Sequence, residues 1–433
     1  MTGEAVICCL GEHVPIEGAD RIVQCFMMGD TIITQTSTEP GTLGILFDCE
    51  TQLSHDFCFQ NNLYSSSELN SDKTVTGYIG KNRRIRPIKL KGVRCSAMFM
   101  PIDSVSYLGD FSGLDEGTQF TELANNPICC KYEVKRGVNT PKGGSIRKDY
   151  TPTFREHLST EHLGRSADKL RQGNLITVTE KLHGTSGRCA NLQTVTDNRS
   201  WIDKLLGRTK NAKVYDTVVG SRKVVKSIGF KALGDKDHYY ASDIWTKVCK
   251  ENFEGKLIKG ETVYFELIGY TPEGGHIMDG RSTEALKQYM NKKEYTAFTK
   301  RYGKEINFSY GNEVGEYGIY LYRVTTTNED GKQIDLPWAN VKRRAEELGV
   351  GHVPEITQYI YDSQDTKEFI RKADVAINAF ASTNFPFTVP EGFCYRIDNG
   401  GDTPIILKQK SFIFKALEGI LRDDDIANME EEN

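Results

Sequence analysis

The sequence predicts an α+β protein in two unequal parts, an all-β module followed by a mixed α+β domain. Three observations carry this expectation. A chain of 433 residues is long for a single hydrophobic core, so two domains are expected. As far as about residue 125, apolar residues fall in short alternating or β-branched stretches broken by Gly, Asn, Ser and Pro, the pattern of strands and turns. Beyond residue 150, similar stretches alternate with longer segments of helical spacing, as in mixed α+β folds.

In the module, residues 1–125, strands are expected at 5–8, 31–35, 43–47, 74–79 and 85–100. Several short strands in so little chain predict a small OB-like barrel. Arg83, Arg84, Arg86, Lys89, Lys91 and Arg94 form a dense basic run with Lys81 at its head, and Phe57, Phe59 and Tyr64 lie nearby. Cations interleaved with aromatic rings suit a nucleic-acid platform, although the rings also suit a barrel interior and the basic run a solvated strand face. Residues 126–150, with Pro127, Pro141 and Gly143-Gly144 and no clear period, read as the junction. In the second domain, 151–421, strands are expected at 175–181, 213–225, 262–268, 317–325, 392–397 and 404–410. Helices are expected at 241–252, 283–302, 341–348 and 366–379. Residues 422–433, rich in Asp and Glu, read as a disordered acidic tail.

Bulk properties exclude several classes. No apolar run approaches a membrane-spanning length, and the N-terminus lacks the basic stretch of a signal peptide, so an intracellular, cytoplasmic protein with no membrane contact is expected. The 11 cysteines are scattered without a Cys-x-x-Cys pair, which signals neither a zinc site nor a disulfide framework. A net charge of −4 argues against a wholly basic nucleic-acid coat, but its segregation suits a protein that grips phosphates in one groove. No protein partner is inferred.

The segment with the most chemical content is Glu180-Lys181-Leu182-His183-Gly184-Thr185-Ser186. An alternating strand delivers a lysine into a tight turn of small residues, as a covalent nucleotidyl-transfer site requires. Gly184 lets backbone approach a bound nucleotide closely. Further along, Ser221-Arg222 presents a guanidinium, and Phe265-Glu266-Leu267 a carboxylate in an apolar strand. Tyr317 to Arg323 follows as an aromatic ladder, then Glu391-Gly392, then Lys408-Gln409-Lys410. Each alone reads as an ordinary core or surface residue; their order does not.

That order resembles the motif sequence of the covalent nucleotidyltransferase superfamily of ligases and capping enzymes. The Lys-x-His-Gly-Thr form, with His183 where DNA ligases and capping enzymes carry aspartate, is similar to the double-strand-type RNA ligases. A β module in front of the transferase domain, together with Phe154-Arg155-Glu156-His157 leading to the lysine motif, resembles the Deinococcus-type RNA ligase family. The motif likeness spans roughly residues 150 to 410; over the N-terminal part it rests on layout. It implies an adenylation domain of ATP-grasp-like architecture and ATP-dependent sealing of 3′-OH/5′-phosphate nicks in duplex RNA or an RNA/DNA hybrid, with Mg²⁺ or Mn²⁺.

The same resemblance implies roles residue by residue. Lys181 would carry AMP, His183 would lie near the reacting phosphates, and Lys408 and Lys410 would neutralise them. Glu266 would meet the ribose, Tyr322 would stack on adenine with Tyr320 in reserve, and Arg222 would hold ribose or a 5′-phosphate. Glu180 and Gly184 would face the nucleotide through backbone, and Glu391 would help place metal. Ser186 and Arg323 depart from a related branch that has asparagine and aspartate there. With only about twenty residues after Lys410, no C-terminal OB domain is expected. The rival readings are a capping-type guanylyltransferase, a DNA ligase, and a nucleic-acid-end-binding protein without catalysis.

Overall fold

The computed structural model describes residues 5–132, 153–197, 211–233, 240 and 242–419. Most of the predicted junction and the acidic tail lie outside them.

The N-terminal module is built on an antiparallel sheet in the order Gln119–Phe120, Ala5–Cys9, Leu43–Asp48, Ala97–Pro101. Both faces of this sheet are covered. Ala5, Ile7, Ile45 and Phe47 enter one apolar cluster with Phe57 and Val105, while Val6, Cys8 and Leu46 enter another with Cys25, Met27 and Ile32. Alternation along a strand sends successive side chains to opposite faces, so these continuous apolar runs mark strands buried on both sides. The second cluster is shared with a separate sheet of Val14–Pro15, Ile22–Met27 and Asp30–Gln35.

The expected closed barrel is not seen: among the described residues the pairing forms separate sheets with free edges. Two local features help explain it. Residues 74–79 contribute only one isolated bridge, Tyr64 to Ile79. The expected strand at 85–100 folds back on itself as the hairpin Ile88–Leu90/Val93–Cys95, with Lys91 at φ 50° and Gly92 at φ 84°, a turn of primed type. Strand Cys129–Lys131 pairs with Thr51–Leu53, so pairing within the module continues past residue 125.

The second domain holds two large sheets. One runs Glu161–His162, Asp402–Lys410, Gly392–Asn399, Leu175–Lys181, Glu355–Ile360. The other runs from Lys231–Ala232 through Val225–Ile228, Asn211–Ser221, Thr185–Asp197, Glu261–Gly269 and Tyr317–Thr327 to Gln333–Asp335. Helices Ile244–Phe253, Trp338–Leu348 and Phe412–Gly419 contribute to the largest apolar cluster, shared with the second sheet, and helix Thr366–Ala379 packs with the first.

Local chemistry adjusts several boundaries. Asp243 accepts a hydrogen bond from the Thr246 amide at 3.0 Å, so its helix starts at Ile244. The helix expected at 283–302 is interrupted: a 3₁₀ turn, Glu284–Gln288, gives way to helix Lys292–Tyr302, which begins at a reciprocal capping box between Asn291 and Glu294. The expected strand at 213–225 ends at Ser221 and turns back into Val225–Ile228. All eleven cysteines are free thiols. Among the described residues no helix is long and apolar enough to cross a membrane.

Candidate active site

The strand that carries Lys181 lies beside Gly392–Asn399, which lies beside Asp402–Lys410. Register places Lys181 opposite Gly392, and Gly392 opposite Lys410. Both lysines therefore sit at one end of the sheet, flanking Glu391, the residue before Gly392. A Cβ on Gly392 would lie 2.1 Å from the Gln409 carbonyl oxygen, so only glycine lets these strands close to that register. Lys181 Nζ is 2.7 Å from Glu391 Oε1, Lys410 Nζ is 3.7 Å from the same oxygen, and His183 Nδ1 is 3.7 Å from Oε2. Glu391 is 1% exposed, so water screens its contacts with these neighbours less than it would at the surface.

The turn after Lys181 is held by the next sheet. The Gly184 amide donates to Glu266 Oε1 at 3.0 Å and the Ser186 hydroxyl to Oε2 at 3.1 Å. A Cβ at Gly184 would meet the Leu267 carbonyl oxygen at 2.3 Å. The His183 amide donates to the Tyr310 hydroxyl at 2.6 Å, and the His183 ring packs edge-on against Phe308 and Phe414. Trp245 Nε1 donates to the Ser186 carbonyl at 3.1 Å. These bonds fix both the backbone of the turn and the His183 ring.

Lys181 opens on a small cavity of about 120 Å³ lined by Glu180, Ser186, Arg222, Glu266, Tyr322, Arg396 and their neighbours. Tyr322 presents its ring there and hydrogen-bonds through its hydroxyl to His157 Nδ1. Tyr320 instead packs edge-on to Phe385. Beside this cavity, and sharing His157, Thr160 and Arg222 with it, lies a larger one of about 360 Å³. Its wall combines Lys131, Arg165, Lys223, Lys408 and Lys410 with Asp48 and Glu50. The N-terminal module thus supplies part of the wall.

Electrostatics differ sharply between the two lysines of the last strand. Burial works against charge on Lys410, but Glu418, Glu50 and Glu391 outweigh it and hold the ammonium well above its ordinary value. Burial, together with Lys410, Lys131 and Lys181, lowers Lys408 against the pull of Glu50. Glu180, 2% exposed, is pushed by burial up to about 7, and a 2.8 Å hydrogen bond from the Ser382 hydroxyl offsets this only in part.

A raised carboxyl stabilises the fold fully below its unfolded value, and that stability is lost as pH rises through about 7. The Glu180→Gln protein mimics the neutral form and escapes this loss. Its stability relative to the parent is expected to rise between pH 5 and 8 by on the order of 3 kcal/mol, measured by denaturant unfolding. A flat difference would show that Glu180 is ionised throughout.

The other residues expected from sequence are distributed unevenly. Arg323 is absorbed structurally: Nε and a terminal nitrogen donate to Asp335 at 2.5 and 2.9 Å, and the guanidinium lies 4.5 Å from the Tyr264 ring centroid. Within the basic run, Arg84 is buried, donates to the Glu418 carbonyl at 3.0 Å and covers the Tyr132 ring. Arg83 Nε donates to the Leu53 carbonyl. Lys89 and Arg94 each lie 3.9 Å from Glu294, and Arg94 also faces the Phe412 ring. Arg86 and Lys91, with Lys81, remain exposed. Sequence reasoning missed Glu50, Arg165, Glu418 and Arg396 as parts of this region. Nothing local marks Glu50 and Arg165, since each meets a partner more than a hundred residues away, while Glu418 pairs with Lys410 only eight residues back and reads in sequence as an ordinary helix acid.

The fit to a nucleotide and its metal rests on these donors. A cavity with an aromatic wall joined to a cationic one matches a purine joined to phosphates. Among the described residues no group of three His, Cys, Asp or Glu side chains forms a ready-made metal centre. Magnesium does not need one, since it binds through one or two carboxylates together with substrate phosphates; Glu391 lies beside Lys181, and Glu266 and Glu50 line the two cavities.

No protein-family model and no curated protein matches the chain. Solved structures do match in fold. Naegleria gruberi RNA ligase with PPi aligns at TM-score 0.57 and 16% identity, covering 96% of this chain and 98% of that one. A variant of the same ligase with ATP and Mn aligns at TM-score 0.55 and 14% identity over 95% and 98% of the two chains, and another with AMP and Mn at 0.56 and 14% over the same shares. Over nearly its whole length, this chain shares the fold of that RNA ligase.

Proposed function

We propose that this protein is an ATP-dependent RNA ligase that seals 3′-OH/5′-phosphate nicks in duplexes containing RNA. The observation that carries the reading is the position of Lys181 Nζ, fixed on Glu391 at the mouth of an aromatic-walled cavity with a cationic cavity alongside. The fold likeness to Naegleria gruberi RNA ligase supports it, as does the order of motifs that resembles the Deinococcus-type ligases.

In the first step Lys181 Nζ attacks the α-phosphorus of ATP. A nitrogen–phosphorus bond forms, the bond from that phosphorus to the bridging oxygen breaks, and pyrophosphate leaves. Attack requires the free amine, so the Lys181–Glu391 ion pair must open. Glu391 would help hold magnesium, which when bound would supply charge neutralisation at the phosphates. Lys410, held as a cation, and Lys408 would face the departing phosphates. Tyr322 would stack on adenine, and Arg222, which borders both cavities, would hold the group between base and leaving group. Glu266, which holds the lysine turn through both carboxylate oxygens and lines the smaller cavity, would meet the ribose. In the second step the RNA 5′-phosphate takes AMP from Lys181; in the third the 3′-OH displaces AMP and forms the phosphodiester. Lys81, Arg86 and Lys91, which stay exposed on the module, would contribute to gripping the duplex.

The test is incubation with α-labelled ATP or GTP and Mg²⁺, followed by a denaturing gel, repeated after pyrophosphate treatment to strip any AMP already attached. Label from ATP alone is expected, with nicked RNA duplexes sealed by the same preparation. Label from GTP would move the protein to capping chemistry, and no label after stripping would leave a binding protein.

A further inference from the structure

We propose that Glu50 of the N-terminal module is a built-in competitor for phosphate at Lys410, and that it limits how tightly the cationic cavity holds pyrophosphate. The inference rests on the reading that this cavity takes the phosphates of ATP and of the leaving group.

The geometry is specific. Glu50 Oε1 lies 2.7 Å from Lys410 Nζ, although 360 positions separate the two in sequence. The Glu50 backbone is pinned on both sides: its amide donates to Asp48 Oδ1 at 2.9 Å, and its carbonyl accepts from the Tyr132 amide at 2.8 Å. The side chain therefore reaches the catalytic sheet from a rigid turn. Lys410 also meets Glu418 at 2.8 and 3.0 Å and Glu391 at 3.7 Å. Lys410 is thus held by three carboxylates, of which Glu391 lies closer to Lys181 and Glu50 and Glu418 lie closer to Lys410.

Of the three, Glu50 is the one in the wall of the larger cavity, together with Lys410 itself. It already holds a hydrogen bond to that ammonium on the wall an anion would meet. It is also firmly ionised: burial opposes its charge, but Lys410, Lys408 and Lys131 outweigh burial and hold it well below the usual carboxylate range. An incoming phosphate must displace this carboxylate from Lys410 and then sit beside its charge, and both raise the free energy of the bound state. When the phosphate leaves, Glu50 recaptures the lysine. A residue that only completed the fold would have the opposite consequence, since its removal would loosen the wall and weaken anion binding.

The experiment is calorimetric titration of inorganic pyrophosphate, with and without Mg²⁺, into the full-length parent and Glu50→Gln proteins, with thermal melts of both. The variant is expected to bind pyrophosphate about tenfold more tightly. Equal or weaker binding by a variant that melts like the parent would overturn the proposal, as would a parent that binds no pyrophosphate. If Glu50→Gln melts early, Glu50→Asp serves instead, because it keeps the charge on the module but withdraws it from Lys410. Tightening is again expected, to a smaller extent, and its absence is again fatal. Both proteins are stripped with pyrophosphate and Mg²⁺ and dialysed beforehand, so the heats report binding and not reversal of lysyl-AMP formation, and a failure to form lysyl-AMP would remove the ligase reading without being mistaken for a failure of the competition.

Discussion

Replacing Lys181 with alanine is expected to abolish covalent capture of AMP, by at least about three orders of magnitude, because the atom that forms the bond is gone. No neighbouring lysine is placed to take over. Lys410 is held in its charged form by Glu418, Glu50 and Glu391 against the effect of burial, and a charged ammonium has no lone pair to offer. Lys408 is the better chemical candidate, since burial lowers it. It nevertheless lies opposite Cys394 and lines the larger cavity rather than the aromatic-walled one. ATP binding itself should survive the substitution, because the aromatic, carboxylate and guanidinium walls remain. The check is labelled ATP on a denaturing gel beside calorimetric titration of unlabelled ATP. Labelling of the Lys181→Ala protein at the parental level would overturn the assignment of the nucleophile, and loss of ATP binding would assign Lys181 a larger share in holding the ground state.

The Asp30→Ala protein is expected to be less stable than the parent by about 3–5 kcal/mol, the usual cost of stranding one partner of a buried ion pair. Asp30 is 1% exposed, and its Oδ1 accepts from the Ser96 hydroxyl and from Lys415 Nζ, both at 2.6 Å. Burial disfavours the Lys415 ammonium, but Asp30 outweighs it and raises the lysine above its ordinary value. Truncation to alanine leaves that cation without its main counter-ion in a buried setting. The pair also joins the two parts of the chain, since Asp30 opens a strand of the module and Lys415 lies in helix Phe412–Gly419. Glu418, a ligand of Lys410, lies on the same helix. Denaturant unfolding measures the loss, and the Asp30→Asn protein, which keeps the Ser96 contact, should fall between the two. Unchanged stability would mean that Lys415 finds another carboxylate once Asp30 is removed.

Several elements were legible because their signals are local. The strands Leu175–Lys181 and Tyr317–Thr327 and the helix Thr366–Ala379 follow from alternation and helical spacing within a few residues of each position. The candidate site residues that the second domain brings together carry signals that are local in the same way. A lysine before a small-residue turn, a carboxylate in an apolar strand and two alternating lysines are each written in four to seven consecutive residues, and the order of such words carries the rest.

The N-terminal module was read less well. Its strands are short, and whether they close into a ring depends on edge pairings between distant segments, which alternation does not encode. Arg84 shows the same limit. In sequence it is one of seven cations in a row, yet in the fold its guanidinium is spent on the Glu418 carbonyl and the Tyr132 ring.

Residue order by itself determined the α+β class, the lysine turn with its glycine, and the list of candidate groups, because periodicity, steric permission and functional groups are properties of short segments. Tertiary structure alone decided which of those groups meet. The register through Gly392 brings Lys181 and Lys410 to one carboxylate. The docking of the module adds Glu50 to Lys410 and Asp30 to Lys415, ion pairs across more than three hundred residues that depend on how whole sheets pack. Charge acts through space and not along the chain, so the electrostatics of this site exist only once the two parts are folded together.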